Sequence, residues 1–585
     1  MKRTGLPRLG VLGAAAVLLF LCRVAIAATA QEVLNVDLSP LIDESARYPT
    51  RFAIDLPHAV SIADAGTWTQ SGGRSTWTYS IRIPTAVSMS FHAAAANLPA
   101  GAVLTVTGAN GRSGSYRARD IARSGLWSRP LPGDSLLLSL TVDTAARAQT
   151  VLDIESFQAG YRSVGAGVPD NTHYRSLMRN KAQLSNCVVN YACEANSANQ
   201  GPANATVAIV VANVGQCTGT LLNDTSSDGA PYVLTARHCE NGMLGGGDPG
   251  AAANVTVYWD AETPCGSPLG FIYDGNTITQ TGATTMVEQQ DAWLIQLDAP
   301  PAAADAYYAG WDATGGVFSG GYSIHHALSY DKQYVGWYGQ ALLQTIPGAT
   351  LGVQYTSSFW GVVNATGNVG AGASGGALFD PSNNAVGSGT EADLPGGPDT
   401  DGICPAMSPQ APSASNIAAQ YTALSAVWSS TDDATSTTGT TTLQSVLDPA
   451  RTGQLVLSGV GLLPVTLTVN QSNPSTGQTL DLTWSAPSAQ ACTASGGLNG
   501  DSWAGSRGAS GTYGLTEQSG GQVTYSIQCT AAGQTGSASV TVSWQFVLAV
   551  INMTGPTTSV SAGGLAALQW AASTPAVHGE WWHQR

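Results

Sequence analysis

Three short stretches carry residue types suited to nucleophilic chemistry. Thr235-Ala236-Arg237-His238-Cys239 closes an apolar run and sets a histidine beside a cysteine. A histidine pinned at a strand end is placed to act as a general base, although alone it reads equally well as a structural residue. Gln290-Asp291-Ala292-Trp293-Leu294-Ile295 opens a second apolar run with an aspartate. Such a residue is a turn former, or the acceptor that fixes an imidazole's tautomer and steadies the imidazolium. Gly370-Ala371-Gly372-Ala373-Ser374-Gly375-Gly376-Ala377-Leu378-Phe379 is either a glycine-rich hairpin or a tight turn exposing the Ser374 hydroxyl. In the second case the N–H groups of Gly372 and Ser374 form an oxyanion hole. The three stretches fall in the order His, Asp, Ser within 136 residues, which makes the set far more specific than any member. An α/β-hydrolase would run Ser, Asp, His.

The elements that must hold these groups read as all-β. Residues 31 to about 165 alternate as short strands such as Trp77–Arg82 and Ala102–Val106, and this stretch has no cysteine. Residues 187 to about 428 repeat the pattern with longer glycine-rich loops. A Ser/Thr tract at 429–442 reads as a loop, and Leu443–Leu447 as a short helix. Residues 464–545 form a further strand-rich unit in which Cys492 and Cys529, 37 apart, are spaced to staple two sheets beside Trp484. That pattern predicts a small immunoglobulin-like sandwich. Val560–Trp570 echoes Pro474–Trp484, so 546–585 reads as part of a second copy, which cannot bury its own face and is expected to be poorly ordered.

Charge is scarce and uneven. Of 585 residues only 10% are charged, against roughly 25% in ordinary domains, which argues against a nucleic-acid-binding face. Residues 1–181 hold 18 Lys+Arg and 12 Asp+Glu, a net of +6, whereas 182–585 hold 5 and 26, a net of −21. The break near Lys181 predicts separate fates for the two parts. Residues 1–27 read as an export signal, with Lys2, Arg3 and Arg8 ahead of the apolar run Leu9–Leu21 and small residues at Ala25-Ile26-Ala27. That run is too short to span a bilayer, so a secreted, soluble protein is expected. Without Cys22, eight cysteines remain, an even number that predicts disulfides in an exported chain. No CxxC or HxxxH spacing occurs, so neither a metal nor another cofactor is expected.

With these motifs in view, residues 182–461 resemble the bacterial lysyl endopeptidase family, secreted relatives of trypsin. The landmarks are Cys187, Cys193, Cys217 and Cys239, Ala309-Gly310-Trp311-Asp312, Ile324-His325-His326 and Leu447-Asp448-Pro449, together with the ordered His238, Asp291 and Ser374. The resemblance implies a chymotrypsin-like double β-barrel, preceded here by a β-rich propeptide and followed by the sandwich. It implies bridges Cys187–Cys404, Cys193–Cys265 and Cys217–Cys239, leaving Cys492–Cys529, and packing roles for His325 and His326. It further implies a monomeric serine endopeptidase acting on polypeptides, with Ser374 as nucleophile, His238 as base and Asp291 as its orienting partner. The rival reading is an inactive protease-like scaffold that binds surfaces or polysaccharide through its sandwich.

Two departures from the pattern bear on activation and specificity. Ala373 stands where chymotrypsin-type enzymes often carry an aspartate that receives the freed N-terminal amine. Lysyl endopeptidases hold the substrate lysine with an acid shortly after the sixth cysteine, yet 405–420 has none; Glu391, Asp393, Asp399 and Asp401 crowd the preceding loop instead. The charge break and Cys187 predict a zymogen of propeptide 28–181 cut between Lys181 and Ala182. The shortage of Lys and Arg after 181 predicts a basic P1 preference, with small or apolar P1 as the alternative.

Overall fold

The computed structural model describes residues 31–583 apart from 49, 166–167, 178–187, 241–250, 275–276, 304, 351–352, 392–416, 431–439, 464, 488, 499–500, 532–533, 546–550, 555–565 and 573–577. The described residues are predominantly strand, and no helix among them is long and apolar enough to cross a membrane. Lys181, Ala182, Cys187, Cys404, Asp393, Asp399 and Asp401 lie outside the described residues, as does the signal segment.

The N-terminal unit packs a six-stranded sheet on a five-stranded one. Strand Arg74–Arg82 shows why: Trp77, Tyr79 and Ile81 alternate inward and are buried, as a half-buried strand demands. Their partners in the core include Phe91, Leu138 and Phe157.

The central unit is built from two rings. The first uses β1 (Thr206–Val211), β2 (Gly215–Leu222), β3 (Tyr232–Ala236), β4 (Val255–Trp259), β5 (Ile278–Thr281), β6 (Ala283–Gln289) and β7 (Ala292–Leu297), in the order β5-β4-β1-β2-β3-β7-β6. Because β5 and β6 are consecutive around Gly282, one bent stretch pairs with β4 at one end and β7 at the other, which closes the sheet into a barrel. Its interior is apolar, with Val207, Ile209, Val233, Trp293 and Ile295 fully buried.

The second ring uses β8 (Tyr322–His325), β9 (Gln333–Thr350), β10 (Val353–Thr366), β11 (Ala377–Phe379), β12 (Asn384–Glu391) and β13 (Ala419–Ala423). The order β11-β8-β9-β10-β13-β12 closes on itself, since β11 also pairs with β12. The expected all-β double barrel is thus the architecture of this unit.

The N-terminal unit lies directly on the first barrel. Phe52 N–H donates to Val214 O at 2.9 Å and Gln216 N–H donates to Thr50 O at 2.9 Å, while the Phe52 ring joins a buried cluster with Val210, Tyr258 and Ile272.

Beyond the barrels, residues 466–544 fold as a three-stranded sheet and a larger one that share a core with Trp484, Trp503 and Tyr525. One expectation is corrected here. Cys492 and Cys529 are direct register partners on neighbouring strands of a single sheet, so their bridge is cross-strand and does not staple two sheets. Spacing along the chain cannot separate these cases, because strands 37 residues apart serve either arrangement. Val460–Leu462, at the expected unit boundary, pairs with both Tyr307–Tyr308 and Gln534–Trp544, tying the C-terminal unit to the centre. In the tail, Ile551–Thr554, Ala566–Ala572 and His578–His583 form a three-stranded antiparallel sheet.

Candidate active site

His238 lies on a 3-10 turn, Arg237–Cys239, at the end of β3, and Asp291 lies in the tight β6–β7 turn. Pairing of β3 with β7, Ala236 opposite Ala292, brings the two turns together. His238 Nδ1 is 3.0 Å from both Asp291 carboxylate oxygens, and Asp291 Oδ1 also accepts the His238 backbone N–H at 3.0 Å. Asp291 O accepts the Arg237 N–H at 2.9 Å. Both side chains are almost wholly buried, 1% and 0% exposed, so the pair is shielded from solvent screening. An ionised carboxylate only accepts, which assigns the proton to Nδ1 and leaves Nε2 as a base. Beneath them, Arg237 pairs with the buried Glu288 at 3.5 Å.

Ser374 arrives from the second barrel, on the loop between β10 and β11. Thr218 N–H donates to Ser374 O at 2.8 Å, fastening the nucleophile residue to β2. Gly375 has φ +83°, and a side chain there would collide with Thr235 Oγ1 and the backbone of Thr218. That close approach sets Ser374 against the strand leading to His238. Among the described residues, no hydrogen bond joins Ser374 Oγ to His238 Nε2; such contacts commonly tighten only with substrate present. Neither the Gly372 nor the Ser374 N–H is engaged by a backbone carbonyl of the described residues.

Cys217 and Cys239 are bonded, which fastens the residue after His238 to β2. Cys193–Cys265 is also bonded, and Cys187–Cys404 falls outside the described residues. His325 and His326 are buried in the second barrel, 1% and 0% exposed. Burial pushes their pKa values down to about 4 and about 3, with Lys332 depressing His326 further. The described residues contain no cluster of three or more metal-ligating side chains.

Residues 182–402 match the sequence profile described as "Lysyl endopeptidase, C-terminal domain". That stretch is lysyl endopeptidase-like. A lysyl endopeptidase of Pseudomonas aeruginosa is 26% identical over 221 residues, covering 36% of this chain and 45% of the relative, so the chain spans under half of that relative's length. Two solved structures are also similar. A serine endoprotease from Yersinia pestis has 17% identity and a TM-score of 0.21, covering 34% of this chain and 57% of that one. Deg5 has 12% identity and a TM-score of 0.22, covering 33% and 82%.

Within the lysyl endopeptidase-like unit, a small cleft of about 40 Å³ opens beside Ser374, between Val369, Thr390, Ala419, Gln420 and Tyr421. None of the described residues lining it is charged. Thr390 Oγ1 bonds Thr422 Oγ1 at 2.7 Å, and Tyr421 Oη accepts from Ser323 Oγ at 2.8 Å, so two walls are fixed. Sequence reasoning did not single out Gln216, Thr218, Thr390 or Tyr421. They are neutral and sit in no motif, and only pairing across the barrels brings them to the site.

Proposed function

We propose that the chain is a secreted serine endopeptidase made as a zymogen. Ser374 Oγ attacks the scissile carbonyl while His238 Nε2 takes its proton and returns it to the leaving amine; Asp291 holds the imidazole in the required tautomer. The N–H groups of Gly372 and Ser374 receive the oxyanion. The observation that carries this reading is the buried His238–Asp291 pair abutting a glycine-flanked serine loop whose two N–H groups are left available. The similarity of residues 182–402 to lysyl endopeptidases supports it.

In the zymogen, residues 28–181 are the propeptide, removed by a cut between Lys181 and Ala182. Support comes from the charge break at that point and from the Thr50 carbonyl, which occupies the Gln216 N–H on a strand beside the nucleophile loop. Of the two P1 expectations, the described cleft supports the small, uncharged side chain. The described lining is small and uncharged, and a buried ammonium needs a partner that this lining lacks.

The test is labelling of the processed enzyme with a fluorophosphonate, followed by turnover of matched substrates with Ala, Val, Lys, Arg and Phe at P1. Labelling lost in Ser374→Ala, with Ala or Val fastest, is expected. Unlabelled wild-type protein refutes the endopeptidase, and faster cleavage after Lys or Arg refutes only the P1 assignment.

A further inference from the structure

Given the proposed endopeptidase, the two oxyanion donors belong to the peptide units Ala371–Gly372 and Ala373–Ser374. In a trans peptide the C=O and N–H point in opposite directions, so whatever anchors the carbonyl aims the N–H. Ala371 O accepts the Leu328 N–H at 2.6 Å, and Ala373 O accepts the Gly376 N–H at 3.0 Å. The second bond closes a local turn. The first depends on a segment more than forty residues earlier in the chain.

That segment is held in an unfavourable shape. Leu328 and Ser329 have φ of +56° and +63°, in the left-handed region that L residues with side chains avoid. Two buried neutral side chains on β2 hold it there. Gln216 Nε2 donates to His326 O at 2.7 Å, and its Oε1 accepts the Ser329 N–H at 3.1 Å. Thr218 Oγ1 accepts the His326 N–H at 3.0 Å and donates to Gly372 O at 2.7 Å. Thr218 therefore touches both the clamp and the loop it clamps. Cys217, between them, faces the opposite way and is bonded to Cys239 beside His238, as strand alternation requires.

We propose that Thr218 and Gln216 are positioning residues that set the oxyanion hole through the 326–329 segment, in place of an ion pair with a freed N-terminus. Ala373 offers no carboxylate to such an amine, and every member of this network is a backbone group or a neutral side chain. The hole therefore stands before cleavage, and processing at Lys181 uncovers the site without building it.

The experiment uses the processed enzyme with its C-terminal unit retained. Thr218→Val should lower kcat about 10- to 100-fold with KM within about twofold, the loss expected when transition-state donors are misaimed, and Thr218→Ser should restore kcat. Unchanged kcat in Thr218→Val, or a loss confined to KM, would overturn the assignment. Acetylation of the mature N-terminus is a second arm that does not depend on the variant folding. The only lysine after residue 182 is Lys332, which is 1% exposed and paired with Glu262 at 2.7 Å, so the reagent reads the terminal amine. Unchanged kcat is expected, and loss of activity on acetylation would also overturn it. Absence of Ser374 labelling in the wild type would instead refute the endopeptidase reading itself.

Discussion

The two barrels hold their parts of the site by opposite physics. The first uses charge: a carboxylate and an imidazole, both removed from water, with a second buried ion pair, Arg237–Glu288, below. The second barrel's part is held by neutral hydrogen bonds: Gln216 and Thr218, on β2 of the first barrel, fix the 326–329 segment, whose Leu328 N–H binds the carbonyl of the Ala371–Gly372 peptide. Charge suits a group that must change protonation during a reaction, because the developing imidazolium is stabilised by the fixed anion. Neutral donors suit a hole that must accept negative charge and release it, since a full cation there would hold the product as well as the transition state.

The largest effect should come from neutralising the charged side. Asp291→Asn keeps the shape but presents an N–H or a weaker acceptor to Nδ1, favouring the wrong tautomer, and a fall in kcat of about 10⁴-fold is expected. Thermal unfolding should confirm that the variant folds. A loss no greater than that of Thr218→Val would erase the distinction between the two halves.

This contrast also explains what the sequence made legible. His238, Asp291 and Ser374 stand out because each is a reactive type next to a strand end or a glycine-rich turn, and because their order along the chain is informative. The all-β class was readable for the same reason, through alternation such as that of Trp77, Tyr79 and Ile81. Gln216 and Thr218 were invisible. A neutral residue inside an apolar strand announces nothing until a partner about 110 or 156 residues away meets it. The direction of the Cys492–Cys529 bridge was likewise a matter of register, which spacing does not encode.

A smaller and more diagnostic effect concerns acid. His325 and His326 frame the segment proposed to clamp the oxyanion hole, and burial keeps both neutral, with pKa values of about 4 and about 3 against an ordinary 6.5. His325 faces the Asn368 backbone, which opposes the shift, and the Ala327 N–H; His326 faces the Tyr330 carbonyl, which bonds its Nδ1 at 3.1 Å, and Lys332, whose charge opposes protonation. With folded values depressed, the unfolded chain binds more protons below about pH 6.5. Stability is therefore full above that pH and is lost as pH falls toward 4, by up to about 3 kcal/mol for His325. His325→Asn keeps an acceptor for the Ala327 N–H and should flatten the dependence of the urea midpoint on pH between 6.5 and 4. Identical slopes in variant and wild type would show that the acid sensitivity arises elsewhere.

The smallest effect on catalysis should come from the C-terminal unit, which sharpens the comparison by offering a disulfide outside both barrels. Cys217–Cys239 fastens the histidine turn to the strand bearing Gln216 and Thr218, whereas Cys492–Cys529 joins two paired strands that contribute nothing to the described site. Contact with the centre runs through the Ser227 carbonyl, which accepts from Gln528 Nε2 at 2.9 Å and Thr535 Oγ1 at 3.1 Å, and through strand Val460–Leu462. None of these touches His238, Asp291 or Ser374. Replacing Cys492 and Cys529 together by Ala opens a 37-residue loop and should destabilise that unit by about 3–4 kcal/mol. kcat/KM on a short peptide should stay within about twofold of wild type. A tenfold change would mean that strain crosses from the sheet through Ser227 into the first barrel, and the site would then extend into a third unit.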